Sequence, residues 1–487
     1  MPQRNSISTD FNYHEASSYR EASLVRDLLN DFSIAGDWCS GADINRSQVL
    51  QGTFDYRGTD GEMGLLTDGL YEDRVSWTAN GGQVCKVDTA WELNSIHAQL
   101  NESQFISLLR VFLSQSHNGK TLYRPYVAII GSKRKSEAEL QYIAAEFCLS
   151  AVTSERLQWI SNKQPLVLAT TPEMTISCRA PRPDEIAGEF VVFRVEYETE
   201  QPIETITSAM FWISELFTVL HGTPTMALSQ TVYAADGAVD EVLFGHRGNL
   251  TPRNVAERDM LVPLLVFSEE QFRSMVEKWC SLDERVKVAV YLLANTLRFE
   301  STLHQVNLVN RAQAIEALHR ALYFGADKYI DVSKYETTVR DVLTEAIPKG
   351  LDAGLHSSLV KKLEHANQFS QRRRLKDIIR RLRKSVPKTF DMLDEDYQKR
   401  IIDTRNYFIH FDQGIERLTD KSIPFASFSL QCVLQGMLLA EIGVPPELIS
   451  SAMRTSRAWQ NFLFALGQKE RLFTSTVEER NRKAKAD

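Results

Sequence analysis

Three residues near the C-terminus have side chains suited to chemistry on a phosphate ester. Arg405, Asn406 and His410 lie in one short stretch (RNYFIH) of a helical pattern that covers about 394–411. An arginine keeps its proton and binds phosphate oxygens, whereas an imidazole gains and loses a proton near neutral pH. These residue types therefore indicate a candidate site for cleaving a phosphodiester bond.

The spacing of these residues leaves two interpretations open. On a helix, Asn406 and His410 lie one turn apart on the same side. Arg405 and His410 are about 140° apart around the helix axis, so their side chains point to different sides. By spacing alone, an arginine in a surface ion pair and a packed histidine at a helix end are the better interpretation. The two residue types would instead come together if the long guanidinium bends back, or if a second copy of the helix faces the first across a two-fold axis.

A basic run upstream of this stretch is a second candidate site. Residues 371–384 contain eight lysines and arginines and one aspartate, and four apolar residues fall on one helical face. The run therefore predicts a docked helix with a cationic outer face, which is either a solvated surface or a phosphate-binding surface. In the second interpretation, the phosphate-binding residues are Arg372, Arg373, Arg374, Lys376, Arg380, Arg381, Arg383 and Lys384.

Length and charge limit the class of protein. The chain has 487 residues and a formal net charge of −7. This length is too great for a single hydrophobic core, so we expect two or three domains. The acidic balance excludes a basic protein that coats nucleic acid, and any nucleic-acid site must be a local basic patch.

Cysteine spacing and apolar runs indicate the compartment. Six cysteines are scattered without a CxxC pair, which argues against a zinc ribbon and against a secreted disulfide scaffold. The start of the chain lacks the apolar segment of a signal peptide, and the apolar run 203–220 is interrupted by Glu204 and Glu215. We therefore expect a cytoplasmic protein without membrane contact.

Strand signals dominate the chain up to about residue 270. Runs of β-branched and aromatic residues alternate with turn residues, and two helical patterns interrupt them. This order predicts an α+β domain with mainly antiparallel strands. The predicted strands lie at about 49–56, 65–66, 74–78, 122–130, 189–197 and 261–267, and the predicted helices at about 136–152 and 207–220.

Helical periodicity replaces the strand signals in the second half. Long amphipathic segments joined by short links predict an all-α bundle. The predicted helices lie at about 269–279, 282–298, 304–324, 334–346, 355–384, 394–411, 425–442 and 446–466. The sequence contains no Gly-rich phosphate loop, no GxSxG and no HExxH motif.

In this helical setting, the stretch 405–410 resembles the motif of the HEPN superfamily (higher eukaryotes and prokaryotes nucleotide-binding). The segment 310–322 (NRAQAIEALHRAL) is similar to an early helix of these bundles, with Glu316 in an apolar setting. In the first half, the segments GDW at 36–38, GTFDY at 52–56 and LLTDG at 65–69 are similar to ApeA-like proteins. The junction at FSEEQ (267–271) and Trp279 also fits that family. The resemblance implies an ApeA-like sensor or regulatory domain over 1–280 and a HEPN domain over 281–487.

The resemblance also implies an activity and a site. HEPN ribonucleases cleave RNA without metal or cofactor, by attack of the substrate's 2′-OH, which leaves 2′,3′-cyclic phosphate and 5′-OH ends. His410 would be the general acid or base, Arg405 would hold the non-bridging oxygens, and Asn406 would orient the histidine or donate to phosphate. Glu316 and His319 are supporting candidates, and Glu316 is either a group that orients Arg405 or an ordinary surface carboxylate.

The implied partners follow from the same family. The substrate is RNA, and two copies of the motif meet in a homodimer or higher oligomer with a composite active site. The association of the family with abortive infection implies a toxin-like effector that a phage-derived trigger activates. Two alternatives stay open: a HEPN module that binds nucleotides or proteins without catalysis, and a nucleic-acid-binding regulator that uses the basic helix.

Overall fold

The structure is a computed structural model of the chain. Up to residue 131 it describes only the backbone of eight strands, apart from residues 129–131. Beyond them it describes 140–160, 164–182, 189–244, 260–298, 303–386, 390, 393–411, 417–457 and 459–460. The predicted strand at 74–78 and the end of the helix predicted over 446–466 lie outside the described residues.

Two antiparallel sheets make up most of the described N-terminal region. The larger sheet has the strand order β1-β4-β5-β8-β14-β13-β9-β12-β11-β10, and the smaller has the order β2-β3-β7-β6. The strands are β1 Trp38–Ser40, β2 Gly52–Arg57, β3 Glu62–Asp68, β4 Ser95–Asn101, β5 Gln104–Leu109, β6 Phe112–His117, β7 Lys120–Arg124, β8 Val127–Gly131, β9 Gln141–Thr153, β10 Leu166–Thr170, β11 Met174–Arg179, β12 Phe190–Pro202, β13 Ala227–Tyr233 and β14 Val239–Phe244. The prediction of a mainly antiparallel α+β domain is confirmed.

The helix predicted over 136–152 is wrong, because this segment contains the long strand β9. β9 pairs with β12 on one side and β13 on the other, and nearly all its residues are buried. A strand covered on both faces carries an almost continuous apolar run. Periodicity alone cannot distinguish such a run from a buried helix. Pairing with β12 and β13 makes this segment a strand.

The strand predicted over 261–267 is also wrong. The segment forms a single 3₁₀ turn, Leu264–Val266, after Pro263. The amides of Leu261 and Val262 donate to the carbonyls of His221 and Leu220. Proline has no N–H to give to a ladder, so a run that contains it is a poor strand.

Helices make up the rest of the described chain, and the predicted helical bundle is confirmed. The helices are α1 Ile203–His221, α2 Glu269–Cys280, α3 Glu284–Arg298, α4 His304–Leu322, α5 Val332–Tyr335, α6 Asp341–Ala346, α7 Ala353–His365, α8 Gln371–Ser385, α9 Glu395–His410, α10 Ile423–Glu441 and α11 Pro446–Thr455. A π turn, Glu336–Arg340, joins α5 to α6. The single helix predicted over 355–384 is wrong, since α7 and α8 are separate helices.

Contacts divide the chain into two compact units. The first holds both sheets with most of α1 and α2, and the second holds the helices from α3 onward. The functional division at residue 280 stays a prediction. In the second unit, α4 packs against α3, α8, α9 and α10, and α10 is buried along most of its length. These helices position every candidate residue of the predicted site.

Two helical segments are long and apolar enough to cross a membrane. They are Ile203–His221, which is α1, and Asp420–Glu441, which includes α10. In their most apolar windows, 72% and 78% of the residues are buried inside the protein. This burial is what a core helix requires, so length and apolar composition alone do not indicate a membrane span.

Candidate functional site

The helix α9 carries the three motif residues, and its two ends are fixed locally. The side chain of Asp394 accepts a hydrogen bond from the amide of Tyr397 at 2.7 Å, which caps the N-terminus. The helix ends at Phe411, which has a left-handed backbone with a φ of 54°. Ile401 and Ile402 anchor the middle of the helix in the core. The last turn therefore emerges at the surface of the bundle.

Arg405 is half-buried and is held by its neighbour in sequence. Its Nη1 donates to Oδ1 of Asn406 at 3.1 Å. Burial lowers the pKa of Arg405, and the negative charge of Glu316 opposes that effect. Among the described residues, Arg405 makes no direct ion pair, so its guanidinium keeps donors for another anion.

His410 is the last residue of α9, and its side chain is exposed. No hydrogen bond joins it to another part of the chain that the structure describes. Phe411 follows with 73% of its surface exposed. The structure therefore joins Arg405 and Asn406 by a hydrogen bond, and His410 lies at the solvent end of the same helix without a described hydrogen bond to either residue.

Glu316 of α4 is the carboxylate that faces this region. Its Oε2 accepts a hydrogen bond from Nε2 of Gln371 at 2.7 Å. Its Oε1 lies 2.9 Å from Arg320 and 3.8 Å from Arg374. Burial works to raise the pKa of Glu316, but the bond from Gln371 and the two arginines outweigh burial and lower it. Glu316 is therefore a partly buried, ionised group.

His319 lies one turn after Glu316 but is completely buried. Its ring stacks on Tyr323 with a centroid distance of 4.4 Å, and Nε2 lies 3.6 Å from Oδ2 of Asp377. Burial and the positive charge of Arg374 lower the pKa of His319, despite the attraction of Asp377. A neutral histidine inside the α4–α8 contact supports packing and has no access to a substrate in this conformation.

The basic helix α8 is largely neutralised by its own surroundings. Asp377 binds Arg373 at 2.9 Å and Arg380 at 3.0 Å. Lys376 pairs with Glu395 at 2.6 Å, and Arg381 pairs with Glu441 at 2.6 Å. These cations remain partly accessible, but a phosphate would have to compete with carboxylates for them.

Two further arginines of α8 support the fold. Arg374 is 1% exposed and donates from Nε to the carbonyl of Phe369 at 2.9 Å. Arg383 donates to the carbonyls of Phe390 and Leu393. Of the eight cations in the basic run, only Arg372 and Lys384 make no ion pair or hydrogen bond with the residues that the structure describes. Both side chains are exposed. The predicted phosphate-binding set is thus divided into structural, paired and available members.

Two residues near the motif were not singled out by the sequence. Gln371, the first residue of α8, binds Glu316, and nothing in a lone glutamine before a basic run predicts that contact. The guanidinium of Arg417 lies 4.2 Å above the ring of Tyr407 in the last turn of α9.

Among the described residues, no group of three or more histidines, cysteines or carboxylates could hold a metal ion.

The comparison with protein families covers the helices just described. Residues 309–448 match the family model described as Apea-like HEPN. No curated protein and no solved structure matches the chain. The matched range contains most of α4, the basic helix α8, the whole of α9 and α10. The chain therefore contains an Apea-like HEPN domain at residues 309–448.

Proposed function

We propose that the chain is a metal-independent endoribonuclease and a toxin-like effector of anti-phage defence by abortive infection. The observation that carries the proposal is the placement of Arg405 and His410 on α9, inside the matched HEPN range. One is a guanidinium without a direct ion pair among its described neighbours, and the other is an exposed imidazole. These are the groups that a phosphodiester cleavage without metal requires.

The proposed reaction is an internal transfer at phosphorus. The 2′-oxygen of a ribose attacks the adjacent phosphorus, and the bond from phosphorus to the 5′-oxygen breaks. A base removes the proton of the 2′-OH, and an acid protonates the departing 5′-oxygen, which leaves 2′,3′-cyclic phosphate and 5′-OH ends. His410 is suited to either role, since an imidazole changes charge near neutral pH.

Arg405 stabilises the charge that builds on the non-bridging oxygens in the transition state. Asn406 holds one arm of the guanidinium through its carbonyl oxygen and keeps its amide N–H groups for the phosphate. Glu316 orients Arg405 by its charge from α4. The exposed residues Arg372 and Lys384 bind more distant phosphates of the RNA.

The proposed active unit is a homodimer. Within one chain, His410 lies at the solvent end of α9 and makes no described contact with Arg405. Two copies of α9 that face each other across a two-fold axis would supply two imidazoles, one as the base and one as the acid. Each imidazole would then act beside the Arg405 of the opposite chain.

The test is RNA cleavage by the purified protein in excess EDTA, followed by analysis of the ends. Wild-type protein gives 2′,3′-cyclic phosphate and 5′-OH ends, and Arg405→Ala or His410→Ala gives none. His365→Ala is the matched control, because His365 is also an exposed histidine at a helix end. Cleavage that survives both motif substitutions would refute the assigned site.

The alternatives make different predictions in the same experiments. A binding module without catalysis keeps its cellular effect in the Arg405→Ala and His410→Ala variants, and cellular RNA gains no new 5′-OH ends. A regulator that uses α8 binds duplex DNA tightly, with a steep dependence on salt. The ion pairs of Lys376, Arg380 and Arg381 weigh against this regulator, since they reduce the charge available to a duplex.

A further inference from the structure

Gln371 connects the basic helix to the carboxylate that faces Arg405. It is the first residue of α8, where Ser370 caps the helix by accepting from the amide of Arg373. The bond from Gln371 Nε2 to Glu316 Oε2 is short, at 2.7 Å, and part-buried. A hydrogen bond to an ionised group is stronger than one between neutral groups, so this contact fixes the rotamer of Glu316.

The same contact borders a small pocket that residues of α4, α8, α9 and α10 line. Its lining includes Glu316 of α4, Gln371 and Leu375 of α8 and Ile402 of α9. Ile402 lies one turn before Arg405, so Glu316 borders the part of α9 that precedes Arg405. No ion pair joins Glu316 and Arg405 among the described residues, but the negative charge of Glu316 acts to raise the pKa of Arg405.

Glu316 has other cations close to it. Arg320 lies on its own helix and binds Oε1 at 2.9 Å, and Arg374 approaches the same oxygen at 3.8 Å. Arg320 attracts the carboxylate along α4, and the buried Arg374 attracts it toward α8. The bond to Oε2 from a neutral donor holds the second oxygen without adding a competing positive charge. Glutamine suits this task, because a lysine or arginine in its place would weaken the pull of Glu316 on Arg405.

We propose that Gln371 is a positioning residue of the ribonuclease site, which acts through Glu316 to hold the guanidinium of Arg405 where the phosphate binds. This inference rests on the proposed ribonuclease function. The N-terminus of α8 then has a role different from RNA binding. One face of the basic helix is exposed to solvent, and its first residue, Gln371, positions Arg405 of α9.

The first test is steady-state cleavage kinetics of Gln371→Met, which keeps the size of the side chain and removes the hydrogen bond. We expect kcat to fall by about tenfold or more, because a hydrogen bond to a charged group is lost, while KM and RNA affinity stay unchanged. Gln313→Met is the matched control, because Gln313 is exposed on α4.

A double-mutant cycle separates positioning from simple packing. If Gln371 acts through Glu316, the loss caused by Gln371→Met disappears in the Glu316→Gln background. A purely structural role would lower the melting temperature and reduce kcat by the same factor in both backgrounds. That outcome, or a kcat for Gln371→Met equal to that of Gln313→Met, would overturn the inference.

A readout independent of activity distinguishes this inference from the proposed function. The Nε–Hε NMR signal of Arg405, assigned by its loss in Arg405→Lys, should shift in the same direction in Gln371→Met and Glu316→Gln. An unchanged signal refutes the positioning role even if the enzyme is a ribonuclease. A wild-type protein that cleaves no RNA refutes the proposed function, and the NMR signal then decides separately whether Gln371 controls Arg405.

Discussion

Arg405 donates a hydrogen bond from Nη1 to Oδ1 of Asn406, and the two residues are adjacent on α9. Neighbouring side chains on a helix point about 100° apart, so a contact of this kind needs the long arginine to bend sideways. The bond occupies the amide oxygen and leaves the amide N–H groups unoccupied by Arg405. The pair therefore presents mainly N–H donors, because Arg405 already occupies one of the two lone pairs of the amide oxygen, and this suits an anionic substrate.

Replacement of Asn406 tests this relationship. In Asn406→Asp a carboxylate would hold Arg405 as an ion pair that competes with the RNA phosphate. We expect kcat/KM to fall by about tenfold, which corresponds to ~1.4 kcal/mol, with no loss of thermal stability. The measurement is cleavage kinetics beside a thermal melt. An Asn406→Asp enzyme with wild-type kcat/KM would contradict the assigned role of the pair.

The cations of α8 should differ in what they contribute. Arg372→Ala and Lys384→Ala each remove an exposed charge that makes no ion pair or hydrogen bond among the described residues. RNA binding should therefore weaken, and the dependence of log Kd on log salt should become shallower by roughly one unit or less per charge. Both variants should melt like the wild type. The measurement is RNA affinity over a series of salt concentrations.

Arg374 provides the contrast, because it is buried and donates to the carbonyl of Phe369. Arg374→Ala should lower the free energy of unfolding by about 2 kcal/mol or more, since it leaves buried polar groups without a partner. Urea unfolding measures this change. A stable Arg374→Ala protein with a reduced salt dependence would instead make Arg374 an RNA contact.

His319 predicts how stability depends on pH. Burial and the charge of Arg374 lower its pKa below the ordinary value of 6.5. As the pH falls below about 6.5, the unfolded chain binds a proton that the folded chain does not, so the free energy of unfolding decreases. In His319→Gln, the part of this decrease in the free energy of unfolding that comes from His319 should be absent. The check is urea unfolding of both proteins at a series of pH values from about 7.5 to about 5, a range that spans the ordinary pKa of histidine.

Phe411 predicts a gain in stability from a substitution beside the site. Its φ of 54° lies in the left-handed region, which costs a residue with a side chain about 1 kcal/mol relative to glycine. Its ring is largely exposed, so little burial would be lost in Phe411→Gly. We expect a rise of about that size in the free energy of unfolding. Gly325→Ala is the converse control, with a φ of 79° and open space around the added methyl group.

Local signals in the sequence were sufficient for the site helix. Asp394 is a good N-cap, and the apolar residues that follow recur at helical spacing, so α9 was predicted nearly to its observed ends. The break between α7 and α8 has one local signal, Ser370, which caps α8, but helical periodicity continues across it. Asn367 lies in this break, and its side chain bonds both the amide and the carbonyl of Ile330. A contact between segments that are distant in sequence cannot be read from periodicity.

The charge of the basic helix shows the same limit. Eight cations can be counted from the sequence, but their carboxylate partners come from elsewhere in the fold. Glu395 on α9 and Glu441 on α10 neutralise members of the run, and Arg374 turns inward. The sequence therefore overestimates the cationic surface, and it contains no indication that Gln371 binds Glu316.

The most direct measurement is the mapping of RNA ends in cells that express wild-type protein or His410→Ala. We predict growth arrest and new 5′-OH ends on cellular RNA for the wild type, and neither for His410→Ala at equal protein abundance. His365→Ala should behave like the wild type. Growth arrest with identical RNA ends for wild type and His410→Ala would contradict the assignment of the α9 motif as a ribonuclease site.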